Sequence, residues 1–203
     1  NTEIVCEDQG YNEFHVLTEI FDANGEKIAQ DKAPVTIGAS QMIKVRQCMF
    51  VRNPKLWSLE EPNLYYCDVR LMSGDRIIDE AKNHFGIRKI QFDKKYGFRL
   101  NGQTVKLRGA CIHHDNGVIG ACAFSRAEER KVELLKKAGF NALRSSHNPS
   151  SRALLDACDR IEMLVVDESF DVWNVAKTKY DYSMFFEEWW EKDVKAMVDK
   201  DFN

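Results

Sequence analysis

Phe140-Asn141-Ala142-Leu143-Arg144-Ser145-Ser146-His147-Asn148-Pro149, followed by Val165-Val166-Asp167-Glu168, decides the architecture of this chain. In each stretch a short apolar run ends in charged, imidazole or hydroxyl side chains. Phe140 to Arg144 and Met163 to Val166 read as strands, the second of them fully apolar. Between them Pro149-Ser150-Ser151 opens a segment with Leu154, Cys158 and Ile161 at helical spacing. The unit is strand, helix, strand, with a polar terminus on both strands.

The same grammar extends outward. Upstream, Val105 to Ile112 is an apolar-rich run read as a strand, ending in His113-His114-Asp115. Ser125-Arg126-Ala127-Glu128 has the spacing of a capping box, in which serine and glutamate satisfy free amides at a helix start. The helix that follows carries Val132, Leu135 and Ala138 on its inner stripe and ends at Gly139. Downstream, a loop leads to a third amphipathic helix bearing Phe186, Trp190, Val194 and Met197. Alternating strands and helices imply parallel strands covered by helices, which both a barrel and an open doubly wound sheet satisfy. No glycine-rich phosphate loop follows any strand, which speaks against nucleotide binding. In a barrel the carboxyl ends of the strands carry the active site. Three successive polar ends would converge there as a rim able to hydrogen-bond sugar hydroxyls.

Residues 1–90 read differently. Phe14 to Phe21 is rich in β-formers, Asn24-Gly25 follows as a hairpin signal, and Lys27-Ile28-Ala29 begins a return strand. Met42 to Arg46, Leu64 to Met72 and Arg76 to Ile78 are further short strands, with Ser73-Gly74-Asp75 turning between the last two. Tyr65, Cys67, Val69 and Leu71 alternate with Tyr66, Asp68 and Arg70, the period of a strand with one buried face. Several such strands suggest a small antiparallel sandwich. Leu100-Asn101-Gly102-Gln103 marks another hairpin at the start of the second half.

Bulk properties bound the function. A net charge of -3 offers no electrostatic attraction to nucleic acid or an anionic membrane, and no apolar run reaches transmembrane length. Asn1 stands where a start Met would, with no signal peptide after it, so the chain reads as cut from a longer protein. Cys6, Cys48, Cys67, Cys111, Cys122 and Cys158 match no zinc spacing and read as free thiols of a reducing, cytoplasmic compartment.

Phe98-Arg99-Leu100-Asn101-Gly102, Leu107-Arg108-Gly109, the Phe140 to Pro149 block and Val165-Val166-Asp167-Glu168 together resemble glycoside hydrolase family 2, the family of bacterial β-galactosidases and β-glucuronidases. Leu56-Trp57-Ser58-Leu59-Glu60-Glu61-Pro62-Asn63-Leu64-Tyr65 looks like its immunoglobulin-like domain, and Phe85-Gly86-Ile87-Arg88 like the junction into its barrel. The resemblance covers essentially the whole chain. It implies a multi-domain fold: an immunoglobulin-like β-sandwich at 1–90, then at 91–203 about the first three βα units of a (β/α)8 TIM barrel.

The resemblance further implies a retaining hydrolase of terminal β-linked sugars, with two carboxyl groups acting as nucleophile and acid/base. Both catalytic glutamates are expected beyond Asn203, so none of the residues here is assigned to catalysis and the chain alone is expected to be inactive. His113, Asp115, Arg144, His147, Asp167 and Glu168 are expected to bind substrate or support the site. His113 and His147 correspond to sugar-contacting histidines, and Arg144 to an arginine that orients the nucleophile. Asp167 and Glu168 are neighbours on a strand, so they face opposite ways and do not form a catalytic pair. Trp173 reads either as a sugar-stacking ring or as core, while Trp189 and Trp190 read as packing. Some family members bind a metal just after the Asp-Glu pair; here Val172 and Asn174 stand there, so neither metal nor cofactor is expected. A carbohydrate-binding module or a pseudoenzyme is the alternative to an active enzyme. β-Galactoside is the first substrate expected, then β-glucuronide or β-mannoside. Unpaired strand edges predict self-association of the chain on its own.

Overall fold

The structure, a computed structural model, describes residues 1–7 and 12–202. It divides into two compact units: Asn1–Lys55 with Asn63–Ile87, and Leu56–Pro62 with Arg88–Asn203.

The first unit is built from β1 (Thr2–Val5), β2 (Asn12–Phe21), β3 (Lys27–Ile37), β4 (Met42–Val45), β5 (Leu64–Ser73) and β6 (Arg76–Gly86). β1 and β4 pair antiparallel, and β3-β2-β5-β6 form an antiparallel four-stranded sheet. Ile4, Cys6, Val16, Val35, Ile37 and Val45 are the buried core between them, backed by Val69 and Leu71 of β5. The hairpin expected at Asn24-Gly25 forms, joining β2 to β3 through a five-residue loop, 22–26, in which Gly25 takes a positive φ of 81°. Asp22 organises the loop, its carboxylate accepting from the amides of Asn24 and Glu26, each at 2.9 Å. One expectation changes. The strand beginning at Arg76 runs on to Gly86. Its residues Arg76 to His84 are all exposed, so it carries no buried-face alternation that would announce it.

The second unit starts with β7 (Ile90–Asp93), β8 (Gly97–Leu100) and β9 (Gln103–Thr104), an antiparallel meander. Asn101 and Gly102 make the tight turn between β8 and β9, with φ of 51° and 85°. The segment Leu56–Pro62 packs onto this unit through Trp57, which is 2% exposed. Its indole N–H donates to the Asp159 carbonyl at 2.8 Å, its own carbonyl accepts from the Asn101 amide at 2.9 Å, and the Arg88 guanidinium lies over its ring.

Then comes the parallel sheet: β10 (Gly109–Ile112), α1 (Ser125–Lys137), β11 (Ala142–Ser145), α2 (Arg152–Arg160) and β12 (Leu164–Val166), with strand order β10-β11-β12. The strand expected from Val105 begins only at Gly109. The residues before it are tied down by the Asn141 side chain, which accepts from the Arg108 amide at 2.7 Å and donates to the Lys106 carbonyl at 3.0 Å. Val132, Leu143, Leu154, Ala157, Cys158 and Met163 form the core between this sheet and the two helices. The capping box does not form: Ser125 is already helical and makes no cap bond. Glu128 is buried instead, accepting from the Asn116 side-chain amide at 2.8 Å and pairing with Lys131 at 3.3 Å. Ser151 does cap α2, its hydroxyl accepting from the Leu154 amide at 3.2 Å. α3 (Phe186–Asp201) closes the chain.

Gly109 sits directly beside Ala142 in the parallel register, and an added Cβ would lie 2.8 Å from the Ala142 carbonyl oxygen. Gly109→Ala is therefore expected to destabilise the second unit by about 1–3 kcal/mol, the usual cost of overpacking against backbone. A lower urea midpoint with an unchanged slope is the expected reading. An unchanged midpoint would mean that the two strands separate freely.

Candidate active site

On β11 the side chains alternate between two environments. Leu143 is buried against α1 and α2, while its neighbour Arg144 faces away from the helices and is exposed. Cys111, Arg144 and Val166 are register partners across the three strands, and all three are exposed on that helix-free face. This is the face that a closed barrel turns inward.

Arg144 holds the row together. One of its terminal nitrogens donates to the Cys111 sulfur at 3.1 Å, and the other pairs with Glu168 Oε1. The bond to Cys111 and the charge of Glu168 raise the guanidinium's proton affinity further. Glu168 follows β12, and its second oxygen lies 3.6 Å from Nδ1 of His147. His147 follows β11, across the cis Ser146–His147 peptide. Its ring meets that of His113 edge-on, with centroids 5.1 Å apart. Four of the six expected residues, His113, Arg144, His147 and Glu168, thus converge at the carboxyl ends of three parallel strands.

The other two lie apart from this group. Asp115 turns back on its own loop, where its carboxylate accepts from the Gly117 amide at 2.8 Å and borders a cavity with Arg130 and Lys131 of α1. Asp167, one residue before Glu168, points the other way. Its carboxylate accepts from the Ser150 amide at 3.1 Å and meets the carboxyl group of Asp201 on α3. Burial, and then the Asp201 partner, push its pKa up to about 6.

That shift has a sign. The folded chain keeps the Asp167 proton to a higher pH than the unfolded chain, whose aspartates titrate near about 4. The folded state therefore binds more protons between about 4 and 6, and stability falls as pH rises through that window. Asp167→Asn, which has no proton to lose, is expected to flatten this fall. Thermal melts from pH 4 to 7 test it, and parallel curves for the two proteins would disprove it.

Asp171 and Lys177 join the rim without any motif to announce them. Asp171 Oδ1 lies 3.6 Å from His147 Nδ1 and accepts from the Lys177 ammonium at 2.6 Å. Lys177 is held in turn by Asp181, which accepts from the amides of Lys177 and Thr178 at 2.7 and 2.8 Å. Beside this loop Phe170, Tyr182, Phe186 and Trp173 form a run of stacked and edge-on rings. Trp173 is 66% exposed, and Trp189 and Trp190 are about half exposed on α3, where Trp190 stacks on Phe186.

A sequence family described as glycosyl hydrolases family 2 matches residues 1–88, and that family's TIM barrel domain matches residues 92–198. This chain belongs to glycosyl hydrolase family 2. Beta-galactosidase BoGH2A of Bacteroides ovatus is 36% identical over 202 residues, which are 100% of this chain and 24% of that protein. A putative beta-glucuronidase of Formosa agariphila is 39% identical over 186 residues, 91% of this chain and 17% of that protein. Among solved structures, a family 2 member from Bacteroides cellulosilyticus superposes with a TM-score of 0.86 at 44% identity, over 98% of this chain and 27% of that one. Bacteroides uniformis beta-glucuronidase 2, covalently bound to cyclophellitol-6-carboxylate aziridine, gives 0.85 at 26% identity, over 99% and 24%. The chain spans about a quarter of the length of such family 2 relatives, and what it contributes is an immunoglobulin-like sandwich and three βα units of the barrel.

Proposed function

We propose that the protein carrying this chain is a retaining β-glycosidase, and that this segment supplies the non-catalytic half of its sugar site. The convergence of His113, Arg144, His147 and Glu168 at three strand ends in a family 2 barrel carries the reading. In such an enzyme one carboxylate attacks the anomeric carbon and a second protonates the leaving oxygen, then activates water. Both are assigned to residues after Asn203. Arg144 then presents a fixed positive charge that keeps a neighbouring carboxylate ionised and aimed. The two histidines hydrogen-bond sugar hydroxyls, which fixes the ring against the reacting groups.

β-Galactoside comes first among the substrates, in keeping with the similarity to Beta-galactosidase BoGH2A over the whole of this chain, ahead of β-glucuronide or β-mannoside. Self-association of the chain on its own is part of the same reading, because the Cys111, Arg144 and Val166 face is uncovered. So is a reducing cytoplasmic setting, in keeping with six cysteines among which no disulfide forms within the described residues.

Hydrolysis of a panel of p-nitrophenyl β-glycosides by the full-length protein, beside the 203-residue chain, tests the proposal. Turnover of the galactoside by the full-length protein alone is the expected result. Preference for the glucuronide would overturn the sugar assignment, turnover by the chain would overturn the placement of catalysis, and silence from both would overturn the enzyme reading.

A further inference from the structure

His147 presents one ring nitrogen to two carboxylates at once. Glu168 Oε2 and Asp171 Oδ1 each lie 3.6 Å from Nδ1. That is longer than a hydrogen bond, so the interaction is one of charge and orientation. Its sign is still decisive, since a lone pair on Nδ1 would face two negative oxygens and an N–H attracts both. A neutral imidazole in this setting therefore carries its proton on Nδ1 and leaves Nε2 as an acceptor.

The two carboxylates are not equivalent. Glu168 is shared with Arg144, which draws on its other oxygen. Asp171 is fastened by Lys177 through the same oxygen that faces His147, and the Lys177 bond holds its carboxyl below the usual aspartate range. The loop is built to keep that cation in place. Asp181 collects the amides of Lys177, Thr178 and Ser183 and the Ser183 hydroxyl, and these bonds lower its own pKa to about 2.

We propose that Asp171, fastened by Lys177, is a positioning residue for His147: it fixes the imidazole with Nδ1 protonated, so that Nε2 accepts a hydrogen bond from a sugar hydroxyl. The inference rests on the glycosidase reading and adds a residue and a tautomer to it. Asp171 touches no reacting atom. Its effect is transmitted through His147 and falls on substrate binding rather than on bond cleavage.

Steady-state kinetics of the full-length protein on its best p-nitrophenyl β-glycoside decide the matter. Asp171→Asn keeps the shape of the side chain and removes its charge. It is expected to raise KM about 10-fold and change kcat less than about 2-fold, the scale of one weakened hydrogen bond to substrate. Asp171→Glu should restore most of the loss. In a His147→Gln background, Asp171→Asn should add less than about 2-fold, because the group it acts through is gone. Wild-type kinetics in Asp171→Asn, or a loss that persists undiminished in the His147→Gln background, would overturn the proposal while leaving an active wild type as a glycosidase. A wild type that hydrolyses no glycoside would defeat the glycosidase reading, and this inference with it.

Discussion

Arg144→Met in the full-length protein is expected to lower kcat/KM on its β-glycoside by about 100-fold, mostly through kcat. The substitution keeps most of the volume and removes a charge that bonds the Cys111 sulfur on one side and Glu168 on the other. Two consequences add. Glu168, 20% exposed at its side chain, loses its cation and no longer has a fixed orientation. Any carboxylate brought to this face by later strands loses the positive field that keeps it ionised. Bonds to charged groups are worth about 1.5–3 kcal/mol, which spans roughly 10- to 150-fold in rate. Arg144→Lys should recover only part of the activity, because an ammonium cannot reach two partners in a plane as a guanidinium does. A loss confined to KM would show that Arg144 only binds substrate. A loss below about 3-fold would remove it from the site.

The largest effect on stability is expected from Leu143→Ala, at about 3–4 kcal/mol. Leu143 is 1% exposed at the centre of the core formed by Val132, Leu154, Ala157, Cys158 and Met163. Truncation removes three carbons from a place where both helices already pack onto the sheet, so little can move in to fill the space. Leu143→Met, which conserves volume, should cost less than about 1.5 kcal/mol. Urea unfolding of the chain followed by circular dichroism measures both. Equal midpoints for the two variants would mean that this core is loosely packed. The contrast with Arg144, the next residue, is sharp: a strand turns one side chain into the core and its neighbour onto the face proposed to hold the sugar site.

The second half of the fold was legible because its strands are short, apolar and separated by amphipathic helices, so composition and period agree. The polar strand ends were legible for the same reason, standing where apolar runs stop. The sandwich was less so. β6 is missed beyond Ile78 because both its faces meet solvent and its sequence has no period to read. β3 contains Pro34, which an edge strand tolerates since its outer side needs no ladder bond. The capping box failed on a different principle. Glu128 has a better partner in Asn116, which belongs to the loop before the helix, and a tertiary bond displaced a local one. Asp171 and Lys177 were invisible because their roles depend on a loop's path. Nothing in Asp-Val-Trp-Asn-Val-Ala-Lys fixes that path until Asp181 gathers the amides that follow.

The strap at Leu56–Pro62 has a consequence for the order in which the molecule is made. Trp57 leaves the ribosome 102 residues before Asp159, whose carbonyl its indole binds. Arg88 and Asn101, its other partners, also follow it in synthesis. The sandwich strands on either side of the strap emerge early enough to fold first, yet the strap between them must stay unplaced until α2 has been made. During that interval Trp57 has Arg88 and Asn101 to meet but lacks the Asp159 carbonyl that its indole binds. A nascent chain stalled between Leu100 and Asp159 should therefore expose Trp57 to quencher, and release past α2 should hide it. The two units are interleaved along the chain, and the strap set within the first completes its contacts only with the second.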